Sequence, residues 1–284
     1  AVELGNFSWA ASILNQLKDK KAFEYLIRYA KLQDHLGNTE ETLKAMEQAL
    51  LKAEASENNQ LLLWAQSNLA DMYSHQNKVK EAYKLYKKVL ATDPHYYHAL
   101  RGIAWIAFSY DHNTELAKKI LHTLQLHHPV PDYDYLLAEI AAYENNEAQK
   151  QFYTTRFLQA VKNPAYGDMY NKYVFEILIE QKELAAKALT IAQTEVNNRP
   201  TPQSYDLLAW AYYQSNQLPE ALAIANEKVL NKNFEPEALY HLGLIYKQNG
   251  NKEKAWNYLN QALNSSFELG PVITDEIKQQ LNTL

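Results

Sequence analysis

Apolar residues recur at spacings of three and four along this chain, in short segments that polar turns interrupt. Such spacing places side chains on one stripe of a helix, so it predicts a series of short amphipathic helices. A clear example runs from Leu62 to Pro94, where two such segments flank one polar turn. The stripe positions are Leu69, Ala70 and Tyr73 on the first segment, and Ala82, Tyr86 and Val89 on the second.

The same pair of helices is repeated along the chain. Pro236–Leu263 repeats the pattern, with Leu242, Gly243 and Tyr246 on the first helix and Ala255, Leu259 and Ala262 on the second. The stretch from Pro202 repeats it with Leu208, Ala209, Tyr212 and Ala221. Proline stops a helix, and six of the nine prolines are 35 or 36 residues apart: Pro94, Pro129, Pro164, Pro200, Pro236 and Pro271. Evenly spaced stops predict equal units of two short helices, each of which must stack on its neighbours to bury its apolar stripe.

The two ends of the chain depart from this unit. Residues 1–21 are predicted to be the second helix of an incomplete N-terminal repeat, because they contain a turn, Glu3–Asn6, followed by Ala10 and Leu14. This prediction implies that the natural protein continues before residue 1. Residues 22–270 are predicted to form about seven hairpins, with a one-residue insertion at His112–Glu115 and weaker patterns in Pro131–Pro164 and Ala165–Pro200. Residues 271–284 are predicted to form a capping helix that faces the array with Val272, Ile273, Ile277 and Leu281.

The unit has a small residue after a leucine, a tyrosine one turn later and an alanine at the start of the second helix. This pattern resembles the tetratricopeptide repeat family over nearly the whole chain. The resemblance implies an all-α fold, a right-handed superhelical solenoid in which the first helices line a concave surface. The runs Asp206–Tyr212 and Tyr240–Ile245 look like those of stand-alone bacterial proteins of this family. Many of these are exported, so the resemblance favours an exported or periplasmic location over a cytoplasmic one.

Composition agrees with a helical protein and narrows the class of function. Ala, Leu, Lys, Glu and Gln, all good helix formers, dominate the sequence. A net charge of −5 argues against a nucleic-acid partner, and no apolar run reaches the ~18 residues of a membrane span. Without cysteine there is no disulfide or thiolate site. The lysines of residues 78–88 are interpreted as a solvated helix face, and the oligomeric state is left open.

No sequence motif for catalysis is present. There is no G-x-G-x-x-G, no P-loop, no H-E-x-x-H and no G-x-S-x-G, so we expect no enzymatic activity and no cofactor. Histidines flank two helix ends, at His95 and His98 and at His122, His127 and His128. No carboxylate accompanies them at ligand spacing, so we expect helix caps rather than a metal site.

The residues expected to bind a partner lie on the first helix of each hairpin, on the face that the resemblance implies is concave. Trp, Tyr and Arg are the side chains that most often anchor interfaces. An Asp206–His241 hydrogen bond is expected beside Trp210. The predicted partner-binding residues are Trp64, Asp71, Arg101, Trp105, Asp206, Trp210, Tyr213, Tyr240, His241 and Lys247, with Ser67, His75, His98, Tyr135, Glu139 and Leu244 on the same stripes.

The sequence therefore predicts a scaffold that binds a protein or peptide segment in its concave groove. The Lys/Asn clamp with which some family members hold a C-terminal carboxylate is absent, because Ser67 and Asp71 stand where Lys and Asn would be needed. Two alternatives stay open. One is a structural spacer or oligomerisation arm of a longer protein, and the other is a small-molecule or enzymatic site around Asp206, Trp210 and His241.

Overall fold

The computed structural model describes residues Ala1–Val2 and Gly5–Leu284, and these residues are helical with short connections. The predicted turn at Glu3–Asn6 falls partly outside the described residues. The chain divides into two compact units. The first comprises Ala1–Val2, Asn6–Pro129 and Ser265–Pro271, and the second comprises mainly Val130–Asn264 and Val272–Leu284.

The first unit is built from helical hairpins. Helix α1 precedes three pairs, α2 with α3, α4 with α5, and α6 with α7, whose members pack against each other. Helix α6 runs on into a wider π-helical turn, Ile106–Tyr110. This turn comes directly before the predicted one-residue insertion and takes up extra chain within the helix. The helices are α1 Phe7–Gln16, α2 Phe23–His35, α3 Thr39–Glu54, α4 Asn59–His75, α5 Val79–Thr92, α6 Tyr97–Trp105 and α7 Thr114–His127.

The second unit contains four further pairs, α8 with α9, α10 with α11, α12 with α13, and α14 with α15. The α10–α11 hairpin is the least regular, since α10 is short and a 3₁₀ turn, Lys182–Leu184, precedes α11. The helices are α8 Asp132–Tyr143, α9 Glu147–Ala160, α10 Asn171–Ile179, α11 Ala185–Asn198, α12 Pro202–Gln214, α13 Leu218–Ile224, α14 Pro236–Gln248, α15 Lys252–Leu263 and α16 Ser266–Asn282.

The turns inside the hairpins share one geometry. At six of them the second residue after the first helix has a positive φ: Gly37, Asn77, His112, Asn145, Asn216 and Gly250. Gly has no Cβ to clash in this left-handed region, and Asn tolerates it better than other residues. The next residue's N–H then donates to a carbonyl of the last helical turn, as Lys78 N does to Tyr73 O at 2.8 Å. This motif ends these first helices and reverses the chain.

The regularly spaced prolines lie where one hairpin passes to the next. Pro94, Pro129 and Pro200 follow second helices, and Pro236 is the first residue of α14, where its missing N–H costs no hydrogen bond. Pro271 instead lies inside α16, next to Gly270, whose φ of 74° breaks the helix. From Val272 onward α16 belongs to the second unit, where Ile277 is buried; Val272 itself is 42% exposed, contrary to its predicted inward position.

Small residues let the paired helices approach closely. Gly243 of α14 faces Leu259 of α15 so tightly that a Cβ on Gly243 would lie 2.6 Å from Leu259 Cγ. Ala82, Ala221 and Ala255 are fully buried on the second helices. These are the positions that the repeat pattern assigned to the helix–helix contact, so the packing of the hairpins follows the sequence pattern. None of the helices within the described residues is long and apolar enough to span a membrane.

Candidate functional site

In the first unit, the candidate binding residues come from α4 and α6. Trp64 and Asp71 on α4, and His98, Arg101 and Trp105 on α6, are spaced by three, four or seven residues, so each set lies on one helix face. Trp64 is 37% exposed and its indole meets the Phe23 ring edge-on, with centroids 5.8 Å apart. Ser67, predicted on the same stripe, is instead fully buried, with its hydroxyl 3.2 Å from Tyr96 OH.

Asp71 connects α4 to the two helices that follow it. Tyr86 OH of α5 donates to Asp71 Oδ1 at 2.5 Å, and His98 Nε2 of α6 lies 2.8 Å from Oδ2. A carboxylate can only accept, so His98 Nε2 carries a hydrogen. Burial raises the pKa of Tyr86, and the neighbouring Asp71 charge raises it further, so the phenol stays a donor. Both oxygens of Asp71 therefore have a donor within the protein.

Arg101 has a different environment. It is partly buried, and its Nε is completely buried without a hydrogen-bond partner among the described residues. Its charge acts on Tyr86, where it lowers the pKa against the larger effects of burial and Asp71. An arginine N–H that has lost water and gained no acceptor costs free energy, about 1–3 kcal/mol for a typical buried donor.

Trp105 is bound by another part of the same unit, Ser265–Pro271. Its indole Nε1 donates to Phe267 O at 3.1 Å, and Ser109 Oγ donates to the same carbonyl at 2.6 Å. Gly270 faces the indole so closely that a Cβ there would lie 3.1 Å from Trp105 Cη2. The donor of Trp105, a predicted partner-binding residue, is therefore used within the protein.

In the second unit, the expected contact between α12 and α14 is present. His241 Nδ1 lies 2.9 Å from Asp206 Oδ2, which is the hydrogen bond that the sequence predicts. The Trp210 indole stacks on the His241 imidazole with centroids 4.1 Å apart, and the Tyr213 ring stacks on Trp210 at 4.9 Å. Asp206, Trp210 and His241 are only 4–8% exposed. This set forms a buried stack between two neighbouring hairpins.

The other two predicted residues of α14 contact α16. Tyr240 OH donates to Glu276 Oε1 at 2.5 Å, and burial together with the Glu276 carboxylate raises the pKa of Tyr240. Lys247 Nζ donates to Gln280 O at 3.0 Å and to Gln280 Oε1 at 2.7 Å. These contacts hold the C-terminal helix on the last hairpin.

A charged cluster in the second unit was missed by the sequence analysis. Lys172 Nζ of α10 lies 2.6 Å from Glu237 Oε2 of α14 and 3.6 Å from Glu176 Oε1. Tyr135 OH of α8 donates to Glu176 Oε2 at 2.7 Å, and only Tyr135 had been placed on a stripe. The spacing of four between Lys172 and Glu176 indicates an ion pair on one helix face. The sequence pattern did not place this pair, because the helical register of this hairpin is ambiguous.

The two carboxyl groups of this cluster are shifted in opposite directions. Burial raises the pKa of Glu176, and the Glu237 charge adds to that effect, so the pKa lies well above its ordinary value of 4.5. Burial would raise the pKa of Glu237 as well, but the Lys172 ammonium and His241 outweigh it and lower the pKa to about 2. No group of three or more His, Asp or Glu side chains in the described part of the chain is arranged to hold a metal ion.

The repeat geometry agrees with comparisons with known proteins. Family profiles described as "Tetratricopeptide repeat" match residues 73–140 and 236–268. These two segments of the chain are tetratricopeptide repeats. This family is a protein-interaction fold and is generally not catalytic, so the chain has the architecture of a protein-interaction scaffold. No curated protein sequence matches the chain significantly.

Solved structures with similar folds are distant in sequence. Human IFIT1, solved as a dimer with m7Gppp-AAAA, is 16% identical, with 92% of this chain and 72% of that chain covered and a TM-score of 0.50. A tetratricopeptide repeat protein from Parabacteroides merdae is 17% identical, with 92% and 97% covered and a TM-score of 0.49. Cut9–Hcn1 of the APC/C is 14% identical with a TM-score of 0.49, and 96% of this chain spans 58% of that chain. At 16% identity the likeness to human IFIT1 supports the helical-repeat fold alone.

Proposed function

We propose that the chain binds a peptide or protein segment of a partner in the groove lined by the first helices of its hairpins, and that α4 and α6 supply the principal contacts. One observation carries the proposal. On these two helices the stripe combines a 37% exposed tryptophan, Trp64, with Arg101, whose Nε has no hydrogen-bond partner among the described residues. Tryptophan and arginine are among the side chains that most often anchor interfaces.

The stripes of α12 and α14 give weaker support for direct contact with a partner. The Trp210 indole stacks on both Tyr213 and His241 and is only 8% exposed, and the hydrogen-bonded Asp206–His241 pair is buried as well. Buried aromatic stacks with satisfied polar groups contribute mainly to packing. We therefore assign Asp206, Trp210 and His241 to the alignment of two hairpins, and the small-molecule alternative has less support there than partner binding has at α4 and α6.

Selection from a random peptide library tests this proposal. The purified chain is used to select from a phage-displayed library of random 12-residue peptides, and the enriched peptides are synthesised and titrated by fluorescence anisotropy. We expect micromolar binders whose affinity falls about tenfold or more in Trp64→Ser, because an exposed aromatic anchor is lost.

Trp256→Ser is the matched control, since Trp256 is 59% exposed on a second helix, α15, away from the stripes. Its affinity should equal that of the unsubstituted chain. Absence of any enriched peptide, or equal binding by Trp64→Ser, would contradict the proposal.

A further inference from the structure

A cluster of charged side chains connects two first helices of the second unit that are not consecutive in the repeat. Helix α12 packs against both α10 and α14, and its hairpin separates theirs along the chain. Lys172 of α10 nevertheless places its Nζ 2.6 Å from Glu237 Oε2 of α14. We call Lys172, Glu176 and Glu237 the α10–α14 strap. Because it joins the helices on either side of α12, it limits how far these hairpins can spread.

The two carboxyl groups of the strap lie within hydrogen-bonding reach of each other. Two carboxylates repel and neither can donate, so this contact is favourable only when one of them carries a proton. The proton belongs to Glu176, since the Lys172 ammonium lies nearer to Glu237. Tyr135 OH donates to Glu176 Oε2, which leaves Glu176 Oε1 to carry the hydrogen that is donated to Glu237.

Other ionisable side chains surround the strap, on the helices packed with it. Glu195 accepts from Asn171 and Arg199, and Asp206 is hydrogen-bonded to His241, so these two carboxylates have partners of their own. Within the strap, Lys172 is the one ammonium for two carboxyl groups. The surrounding groups are Glu139 of α8, Tyr173 of α10, Glu195 of α11, Asp206 of α12 and His241 of α14.

We propose that Glu176 is a pH-dependent switch that closes the α10–α14 strap when it is protonated and opens the strap when it is ionised. In the closed form Glu176 donates to Glu237, and the strap carries no net charge. After the proton leaves, two carboxylates face a single ammonium, and their repulsion lets the hairpins on either side of α12 move apart. The switch is independent of the partner binding proposed for α4 and α6.

The test measures the separation of α10 and α14 as a function of pH. The chain has no cysteine, so Gln181→Cys just after α10 and Gln248→Cys at the end of α14 introduce the only two thiols. Both positions are exposed. Nitroxide labels at these thiols report the distance by double electron–electron resonance.

Two substitutions are each combined with the labelled pair. Glu176→Gln keeps a donor and an acceptor but cannot ionise, so it holds the strap closed at every pH. Glu180→Gln is the matched control, because Glu180 is an exposed carboxylate that directly follows α10 and pairs with Lys150, outside the strap. It removes one negative charge from the same region and leaves the switch intact.

We expect the mean label distance of the parent to be about 2 Å longer at pH 9 than at pH 5, the size of helix shifts at packed interfaces. Glu180→Gln should show the same increase and Glu176→Gln none. Carboxyl NMR titration of the chain, made with carbon-13-labelled glutamate, should show Glu176 ionising over the pH range of the increase. The Glu176 signal is assigned as the one that Glu176→Gln lacks.

Three results would overturn the switch. The first is a parent distance that does not change between pH 5 and pH 9. The second is an increase that persists in Glu176→Gln or disappears in Glu180→Gln, because the titrating group would then lie elsewhere. The third is a Glu176 carboxyl group that is already ionised at pH 5, because the two carboxylates of the strap would then coexist in the closed form.

Discussion

Glu176 and Glu237 have identical side chains and lie in one cluster, but their pKa values are shifted in opposite directions. Glu237 lies against the Lys172 ammonium, whereas Glu176 is partly buried near the Glu237 charge and is farther from Lys172. The carboxylate form is therefore favoured at Glu237 and disfavoured at Glu176. Each shift in pKa implies a dependence of stability on pH, with opposite signs for the two residues.

Substitution of Glu237 should weaken the fold at neutral pH. Its pKa is lowered from 4.5 to about 2, so its contribution is present above pH 4.5 and is lost as the pH falls through about 2. We expect Glu237→Gln to lower the free energy of unfolding at pH 7 by about 2 kcal/mol, after allowance for solvent screening at a side chain that is 25% exposed. Urea unfolding at pH 7 and pH 3 measures this, and an equal loss at both pH values would contradict it.

Substitution of Glu176 should have the opposite effect. Its folded-state pKa lies above 4.5, so folding retains a proton that the unfolded chain releases, and stability declines as the pH rises from 4.5 through the raised pKa. Glu176→Gln removes this penalty and keeps an oxygen for the Tyr135 hydroxyl. The variant should be more stable than the parent at pH 8 and equal to it near pH 4. Lower stability at pH 8 would show that the charged form of Glu176 is favoured in the fold.

At the scale of the element, each hairpin depends on how its first helix ends. The residue with a positive φ is Gly or Asn at five turns, and these residue types are recognisable in the polar turns of the sequence. At Gly250 a Cβ would meet nothing within 4 Å, so only the backbone conformation, with φ of 76°, distinguishes glycine from alanine there.

Gly250→Ala should therefore destabilise the last hairpin through backbone strain alone. We expect the free energy of unfolding to fall by about 1–2 kcal/mol, the cost of the left-handed region for a residue with a Cβ. Asn249→Ala is the matched control, since Asn249 precedes it, is exposed and has an ordinary φ of −80°. Thermal unfolding of both variants checks the difference, and equal midpoints would show that the turn relaxes at no cost.

The regularity of the elements explains which of them could be predicted. Hairpins with a small residue at the helix contact and a polar turn, such as α4–α5 and α14–α15, follow directly from the sequence pattern because their contacts are local. Helix α10 could not be placed in register, since it is short and 3₁₀ turns lie on both sides of it, Pro164–Tyr166 before and Lys182–Leu184 after. The Lys172–Glu237 contact therefore had no basis in the pattern.

At the scale of the whole molecule, the segment Ser265–Pro271 is the main feature that the repeat does not contain. Phe267 is 4% exposed and packs in a core with Leu63, Ala70 and Ile106, all of the first unit. Its carbonyl also receives the hydrogen bonds of Trp105 and Ser109. Residues distant in sequence thus complete one hydrophobic core.

Removal of the Phe267 side chain should therefore be costly. We expect Phe267→Ala to lower the free energy of unfolding by about 3–5 kcal/mol, as for other buried phenylalanines. Phe234→Ala, at a residue that is 44% exposed, should change it by less than about 0.5 kcal/mol. Hydrogen exchange should localise the loss to α4 and α6, and protection there equal to that of the parent would contradict the assignment of Phe267 to this core.

The sequence by itself determined the all-α fold, the repeated helical hairpin and the Asp206–His241 hydrogen bond, because each depends on local periodicity or on residues at matching places in adjacent repeats. Only the tertiary structure decided which stripe side chains have hydrogen-bond partners within the protein. Trp105 donates to Phe267 and Lys247 donates to Gln280, whereas Arg101 Nε has no acceptor among the described residues. A repeat pattern specifies which side chains of one hairpin pack against the next hairpin. Whether a segment distant in sequence also contacts those helices depends on long-range packing, which local residue spacing does not predict.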